Sequence, residues 1–184
     1  MRTKQIVKVI AGGAVAATLA SSPSAFAAVD MFLKLDGIAG ESFDKAHKDE
    51  IDVLAWSWGA SSTATSKQAG CVSVQDISFT HFFDKATPKL ISSLANGQTI
   101  PSAKLTVRKA GGSQLEYIKI EMNNVVVTSA SSGGSGGEDR LTENVTLNFG
   151  AANVTYTPQK ADGSPDAGLS AIIATTCKKK DTDK

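Results

Sequence analysis

Between residues 105 and 158, apolar and polar side chains alternate along one run after another, with a single glycine-rich break at Gly133-Gly-Ser-Gly-Gly137. In the stretch 115–128, Ile118, Ile120 and Met122 fall on one side and Tyr117, Lys119 and Glu121 on the other. Val145, Leu147 and Phe149 oppose Thr146 and Asn148, and Val154 and Tyr156 oppose Thr155 and Thr157. A repeat of two sends alternate side chains to opposite faces of a sheet. Each run therefore predicts a strand with a core face and a wet or partner-facing one. The pattern is that of antiparallel sheet.

The rest of the chain extends this picture. Residues 30–35 alternate and predict a first strand ending at the turn Asp36-Gly37. Residues 40–50 are polar and read as a surface loop that places His47 in solvent. Residues 51–59 predict a strand with Leu54, Trp56 and Trp58 on one face and Ile51, Val53 and Ala55 on the other. Apolar character on both faces implies cover on both sides. Residues 60–70 are rich in Ser, Thr, Ala and Gly, too long for a tight hairpin, and such connections tend to be functional or mobile. Residues 71–83 return as a strand whose apolar parity switches near Asp76, which predicts a bulge or a two-sided setting.

One helix is predicted. Thr87 supplies a cap, Pro88 suits the first helical position, Leu90, Ile91 and Leu94 form the apolar stripe, and Asn96-Gly97 stops it. At about three turns it can close one end of a sheet sandwich but not form a layer of its own. Strands over 98–109, 141–149 and 152–157 complete the domain, followed by the turn-rich connector 160–165. The expected organisation is a mainly β domain over 28–168 and a C-terminal segment, 169–184, with a short apolar piece and a frayed lysine-rich end.

At 184 residues the chain suffices for one domain with a substantial core. Its first 27 residues read as an export signal. Arg2, Lys4 and Lys8 form a positive start, Val9 to Leu19 an apolar, small-residue middle, and Ala25-Phe26-Ala27 a cleavage motif placing the cut between Ala27 and Ala28. This predicts delivery to the periplasm or outside the cell, with no membrane association after the signal is removed. Met31 offers a second start codon, from which the product would begin in the cytoplasm. Beyond the signal, acidic residues outnumber basic ones and no basic cluster appears, which argues against nucleic acid as a partner. In an oxidising compartment Cys71 and Cys177 can pair within the chain or between neighbouring chains, or stand as separate buried thiols.

Nothing in the sequence rises to catalysis. The glycine-rich loop leads into Glu138-Asp139 and a strand, where a phosphate cradle needs a Gly-Lys-Ser/Thr ending that opens a helix. His47 and His81 are the only histidines, and no Cys/His cluster stands at metal-ligand spacing, so neither metal nor cofactor is expected. His81, set among aromatics in a strand, reads as a packing or interface residue. No Gly-x-Ser-x-Gly elbow occurs. The sequons at Asn144 and Asn153 lie in predicted strands of a chain with a bacterial-looking signal and carry no weight. Rows of Thr, Ser, Asn, Lys and Glu on strand faces point instead to a self-associating structural or binding protein.

An ordered set of motifs resembles one family. It comprises Met31-Phe-Leu-Lys-Leu-Asp-Gly37, Gly40-Glu-Ser42, His47-Lys-Asp-Glu-Ile51 and Val53-Leu-Ala-Trp-Ser-Trp-Gly59. It continues through Ser78-Phe-Thr80, Asp84-Lys-Ala86, Pro88-Lys-Leu90, Leu105-Thr-Val-Arg-Lys-Ala-Gly-Gly112 and the glycine loop. Leu147-Asn-Phe149 and Tyr156-Thr-Pro-Gln-Lys-Ala-Asp-Gly-Ser-Pro165 close it. Together these resemble Hcp, the haemolysin-coregulated protein that builds the inner tube of bacterial type VI secretion systems.

The resemblance implies a phage-tail-tube-like β-barrel of two packed antiparallel sheets with a flanking helix, and no enzymatic activity. It implies rings of about six copies that stack into a tube, with effectors or other type VI secretion components as further partners. The extended loop 60–70 is a contact between neighbouring copies in that family. This makes Ser61, Ser62, Thr63, Thr65, Lys67 and Gln68 contact candidates. Trp56 and Trp58 join them, because a neighbour can cover the second face of their strand. The export signal keeps a second reading open, an exported Hcp-like binding module that does not polymerise.

Overall fold

The computed structural model describes residues 29–64, 72–110, 114–137 and 139–174. The elements run β1 (Val29–Leu35), β2 (Ile51–Ser57), β3 (Ala60–Ser62), β4 (Val72–Val74), β5 (Ile77–Phe82), α1 (Thr87–Asn96), β6 (Thr99–Lys109), β7 (Glu116–Gly133), β8 (Thr142–Asn148), β9 (Ala151–Tyr156) and β10 (Leu169–Ala174). Strands β7, β6, β1, β2, β5 and β8 pair antiparallel in that order, and β8 pairs back onto β7. The result is a closed six-stranded barrel whose members have no free edges.

Strand β7 makes both the barrel and its extension. Along one edge its residues 118–123 pair with β9, and its residues 126–133 pair with β8. Between the two lies Asn124, with φ of 52°, a left-handed conformation that Asn tolerates better than most residues. Strands β8 and β9 are thus nearly one strand, broken at Phe149-Gly150 and parted to different neighbours. Strand β10 then pairs with β9, and among the described residues no strand pairs with its other edge.

The alternation places the core. Leu33 and Leu35 of β1, Ile77 and Phe79 of β5, Leu105 of β6, Ile120 and Met122 of β7, and Val145 and Leu147 of β8 are all buried in one cluster. Each large aliphatic side chain there contributes about 1.5–3 kcal/mol by leaving water. The helix adds Leu90, fully buried in the same cluster, and Leu94 in part.

Several local expectations change. The run 71–83 divides into β4 and β5, and the parity switch at Asp76 marks the break between two sheets rather than a bulge within one. The bulge lies instead in β2, between Val53 and Ala55. It moves Trp56 opposite the buried Phe79, so Trp56 and Trp58 pack on the core while Leu54 stays exposed. Thr87 does not cap α1. Ala86 holds the cap position, its amide donates to Asp84 Oδ1 (2.8 Å), and the Thr87 hydroxyl donates to Glu143 instead. At the far end Gly97 takes the left-handed conformation (φ 59°) that lets its amide reach Leu94 O.

The polar loop 40–50 is not simply solvated. Ser42 and His47 are buried, and the loop lies over the outer side of β1 and β6. Gly40 permits this, since a Cβ there would sit 2.3 Å from Glu50 O.

Candidate assembly surfaces

The barrel presents two outer faces of different chemistry. Across β2, β5, β8 and β7 the register aligns Ser57, Ser78, Thr146 and Ser129 in one row, and Ala55, Thr80, Asn144 and Ser131 in the next. Neither row carries a charge. The Thr80 hydroxyl donates to Asn144 Oδ1 across the strands. Asp76 closes the end of this face by accepting from Thr128 Oγ1 and Asn148 Nδ2, both at 2.7 Å. The surface is hydroxyl- and amide-rich, with short side chains.

The second face spans β1, β6, β7, β9 and β10. One row reads Lys34, Lys104, Glu121, Asn153, Ile172, and its neighbour Phe32, Thr106, Lys119, Thr155, Ser170. Lys119 Nζ lies 2.7 Å from Glu116 Oε2, and Lys104 Nζ 3.9 Å from Glu121 Oε1. A groove of about 640 Å³ runs over Lys34, Lys104, Glu121 and Asn153, with Ile172 on its wall, 80% exposed.

The candidate arm is the two-stranded sheet of β3 and β4. Ser61 pairs with Ser73 and Ser62 with Val72, and Ser61, Ser62 and Thr63 are exposed. The base is fixed from both sides: Trp58 Nε1 donates to Gln75 O (2.9 Å), and the Gln75 amide donates to Gly59 O. Trp58 also meets Phe149 at 6.1 Å between ring centroids. The tryptophans thus anchor the arm to the core. Thr65, Lys67, Gln68, Cys71 and Cys177, together with Ala27 and Ala28, lie outside the described residues.

A third surface escaped the sequence reading. Phe43 stands 98% exposed at the tip of the 40–50 loop, between two anchored neighbours. Asp44 accepts from Arg108 Nη1 (3.1 Å) and Nη2 (2.7 Å), and Nη2 also reaches Asp30 Oδ2 (2.9 Å). The Arg108 bond, reinforced by the Ala46 and His47 amides and opposed by desolvation, holds the Asp44 carboxyl at about 2. The same two carboxylates push the Arg108 guanidinium further up. The signal available in the sequence was a lone phenylalanine in an otherwise polar run.

The barrel interior holds one polar cluster. Glu143 Oε2 accepts from Thr87 Oγ1 (2.9 Å) and lies 3.1 Å from His81 Nε2. His81 and Glu143 are at most 1% exposed, so no substrate reaches them; they tie β5 and β8 to the start of α1. His81 is a packing residue. Among the described residues no group of three or more His, Cys, Asp or Glu side chains could hold a metal ion, and no helix is long and apolar enough to cross a membrane.

Comparison with known proteins agrees with this architecture. The sequence model of the family described as "Type VI secretion system effector, Hcp" matches residues 32–156. Protein hcp1 of Pseudomonas aeruginosa is 56% identical over 147 residues, which is 77% of this chain and 91% of that protein. The crystal structure of Hcp1 from Salmonella typhimurium matches with a TM-score of 0.68 at 38% identity, over 80% of this chain and 95% of that one. A type VI secretion system effector from Yersinia pestis matches with a TM-score of 0.67 at 36% identity, over 79% and 99%. The chain therefore belongs to the Hcp family of type VI secretion system proteins.

Proposed function

We propose that the chain is a non-enzymatic ring subunit whose copies close into a hexamer-sized ring and stack into a tube. The observation that carries this reading is the division of the barrel exterior into an uncharged hydroxyl face and a charged, grooved one. Short uncharged side chains suit a water-filled bore, because they offer a passing effector neither salt bridges nor apolar anchors. The projecting β3–β4 arm, the outer edge of β10 and the exposed Phe43 are surfaces that further copies can cover. Electron microscopy of the purified protein tests the orientation: rings with β2, β5 and β8 towards the bore are expected, and rings with the Lys34–Lys104 face inward would reject it.

The N-terminal pattern adds an address. Residues 1–27 act as a cleaved signal, the mature chain starts at Ala28, and Cys71 and Cys177 then pair. A start at Met31 suits the fold less well, since it deletes Val29 and Asp30 from β1 and with them the carboxylate that reaches Arg108. Intact-mass measurement on the periplasmic fraction should return the chain from Ala28 with no free thiol. Unprocessed chain in the cytoplasm would contradict the address. The signal also supports the second reading, an exported Hcp-like module that binds a partner as a single copy.

A further inference from the structure

The 40–50 loop is fastened at two points, and one of them can change its charge. His47 is buried, with its ring stacked on Phe32 at 4.1 Å between centroids and 8° between planes. Its Nδ1 lies 2.9 Å from Glu50 Oε2, within the loop, and its Nε2 lies 3.3 Å from Glu116 Oε1 at the start of β7. A neutral imidazole has one N–H and one lone pair, whereas an imidazolium has two N–H donors. Ionised carboxylates only accept. A neutral ring turns a lone pair towards one of the two carboxylates. The protonated ring turns an N–H towards each, hydrogen-bonding Glu50 at Nδ1 and meeting Glu116 at Nε2 by charge across 3.3 Å rather than by a formed hydrogen bond.

We propose that His47 is a protonation-sensitive clamp, bridging Glu50 and Glu116 as imidazolium to hold the Phe43-bearing loop on the barrel and loosening the loop when the proton leaves.

The surrounding charges are consistent with that role. Arg108, one of the cations contributed by β6, is already matched by Asp30 of β1 and Asp44 of the loop. Asp44 Oδ1 also accepts the His47 amide at 3.2 Å, which orients the residue. On β7, Lys119 occupies the other oxygen of Glu116 and leaves Oε1 to His47. Burial pushes the Glu116 carboxyl up, but the Lys119 hydrogen bond and the charges of Lys119, His47 and Lys104 outweigh it and bring the group below its ordinary value. Glu116 thus stays ionised through the mildly acidic range. The hold is present there and weakens as rising pH removes the histidine proton. The inference concerns the single copy and stands whether or not rings form.

Hydrogen exchange on the full chain tests it through the amides of Gly40, Ser42 and Asp49, which donate to Asp49 O, Glu50 O and Ser42 O. Their protection, corrected for intrinsic exchange and referred to amides of β6 and β8, should be about tenfold higher at roughly pH 5.5 than at roughly pH 8.5. His47→Gln should flatten this ratio. Glu116→Gln, at a half-exposed position outside the core, should reduce it to about threefold and covers the case in which the His47 variant fails to fold. An unchanged ratio in Glu116→Gln, or loop and barrel amides losing protection in parallel, would overturn the proposal.

Discussion

Replacing Arg108 by alanine is expected to destabilise the protein by about 2–3 kcal/mol and to lower its melting temperature by about 5–10 °C. The guanidinium is buried, lies over the Phe32 ring at 4.9 Å, and holds Asp44 and Asp30 from two different elements. Truncation leaves two carboxylates facing each other without a counter-ion and removes the packing on Phe32. The loss carries a pH signature. Asp44, lowered from 3.8 to about 2, contributes stability that is fully present above its ordinary value and disappears as pH falls towards 2. Thermal melts between about pH 5 and 2 should slope steeply for the natural chain and less so for Arg108→Ala. Equal slopes would show that the pair does not act as described.

The second large effect is expected at Glu143. Its carboxylate accepts the Thr87 hydroxyl proton and lies 3.1 Å from His81 Nε2, and all three side chains are buried. Glu143→Ala strands them and should cost about 3–5 kcal/mol in urea unfolding. The double variant H81L/E143L, which removes polar groups together and keeps the volume, should recover much of that loss. A single-variant loss below about 1 kcal/mol would mean that water enters and satisfies the cluster.

These two sites also show where sequence reading ends. The strands were legible because Ile118, Ile120 and Met122, or Val145 and Leu147, alternate against polar neighbours, and a repeat of two has one structural meaning. Closure of the barrel was not, because it depends on which part of β7 meets β8 and which meets β9, a choice made at Asn124 by backbone conformation. The grouping of Leu54 with Trp56 and Trp58 failed because a bulge after Val53 reverses parity without changing the residue pattern. His47 looked solvated because its cover, Phe32, sits on the nominally wet side of β1. The clue was that Met31, Phe32 and Leu33 are apolar on both parities, so both faces are covered there. Arg108 gave no such clue, since one arginine among Thr106, Val107 and Lys109 reads as exposed whether or not a loop lies over it.

Membership of the Hcp family makes the uncharged and charged outer faces intelligible as two sides of a wall. On that view the buried ion pairs are the fastenings of a subunit that must present the same surfaces to every neighbour. The most direct test is the particle mass of the purified mature protein, measured by light scattering over a range of concentrations. A species of about six copies that persists on dilution is the predicted result. A monomer at every concentration would contradict it and leave an exported, single-copy relative of the tube proteins.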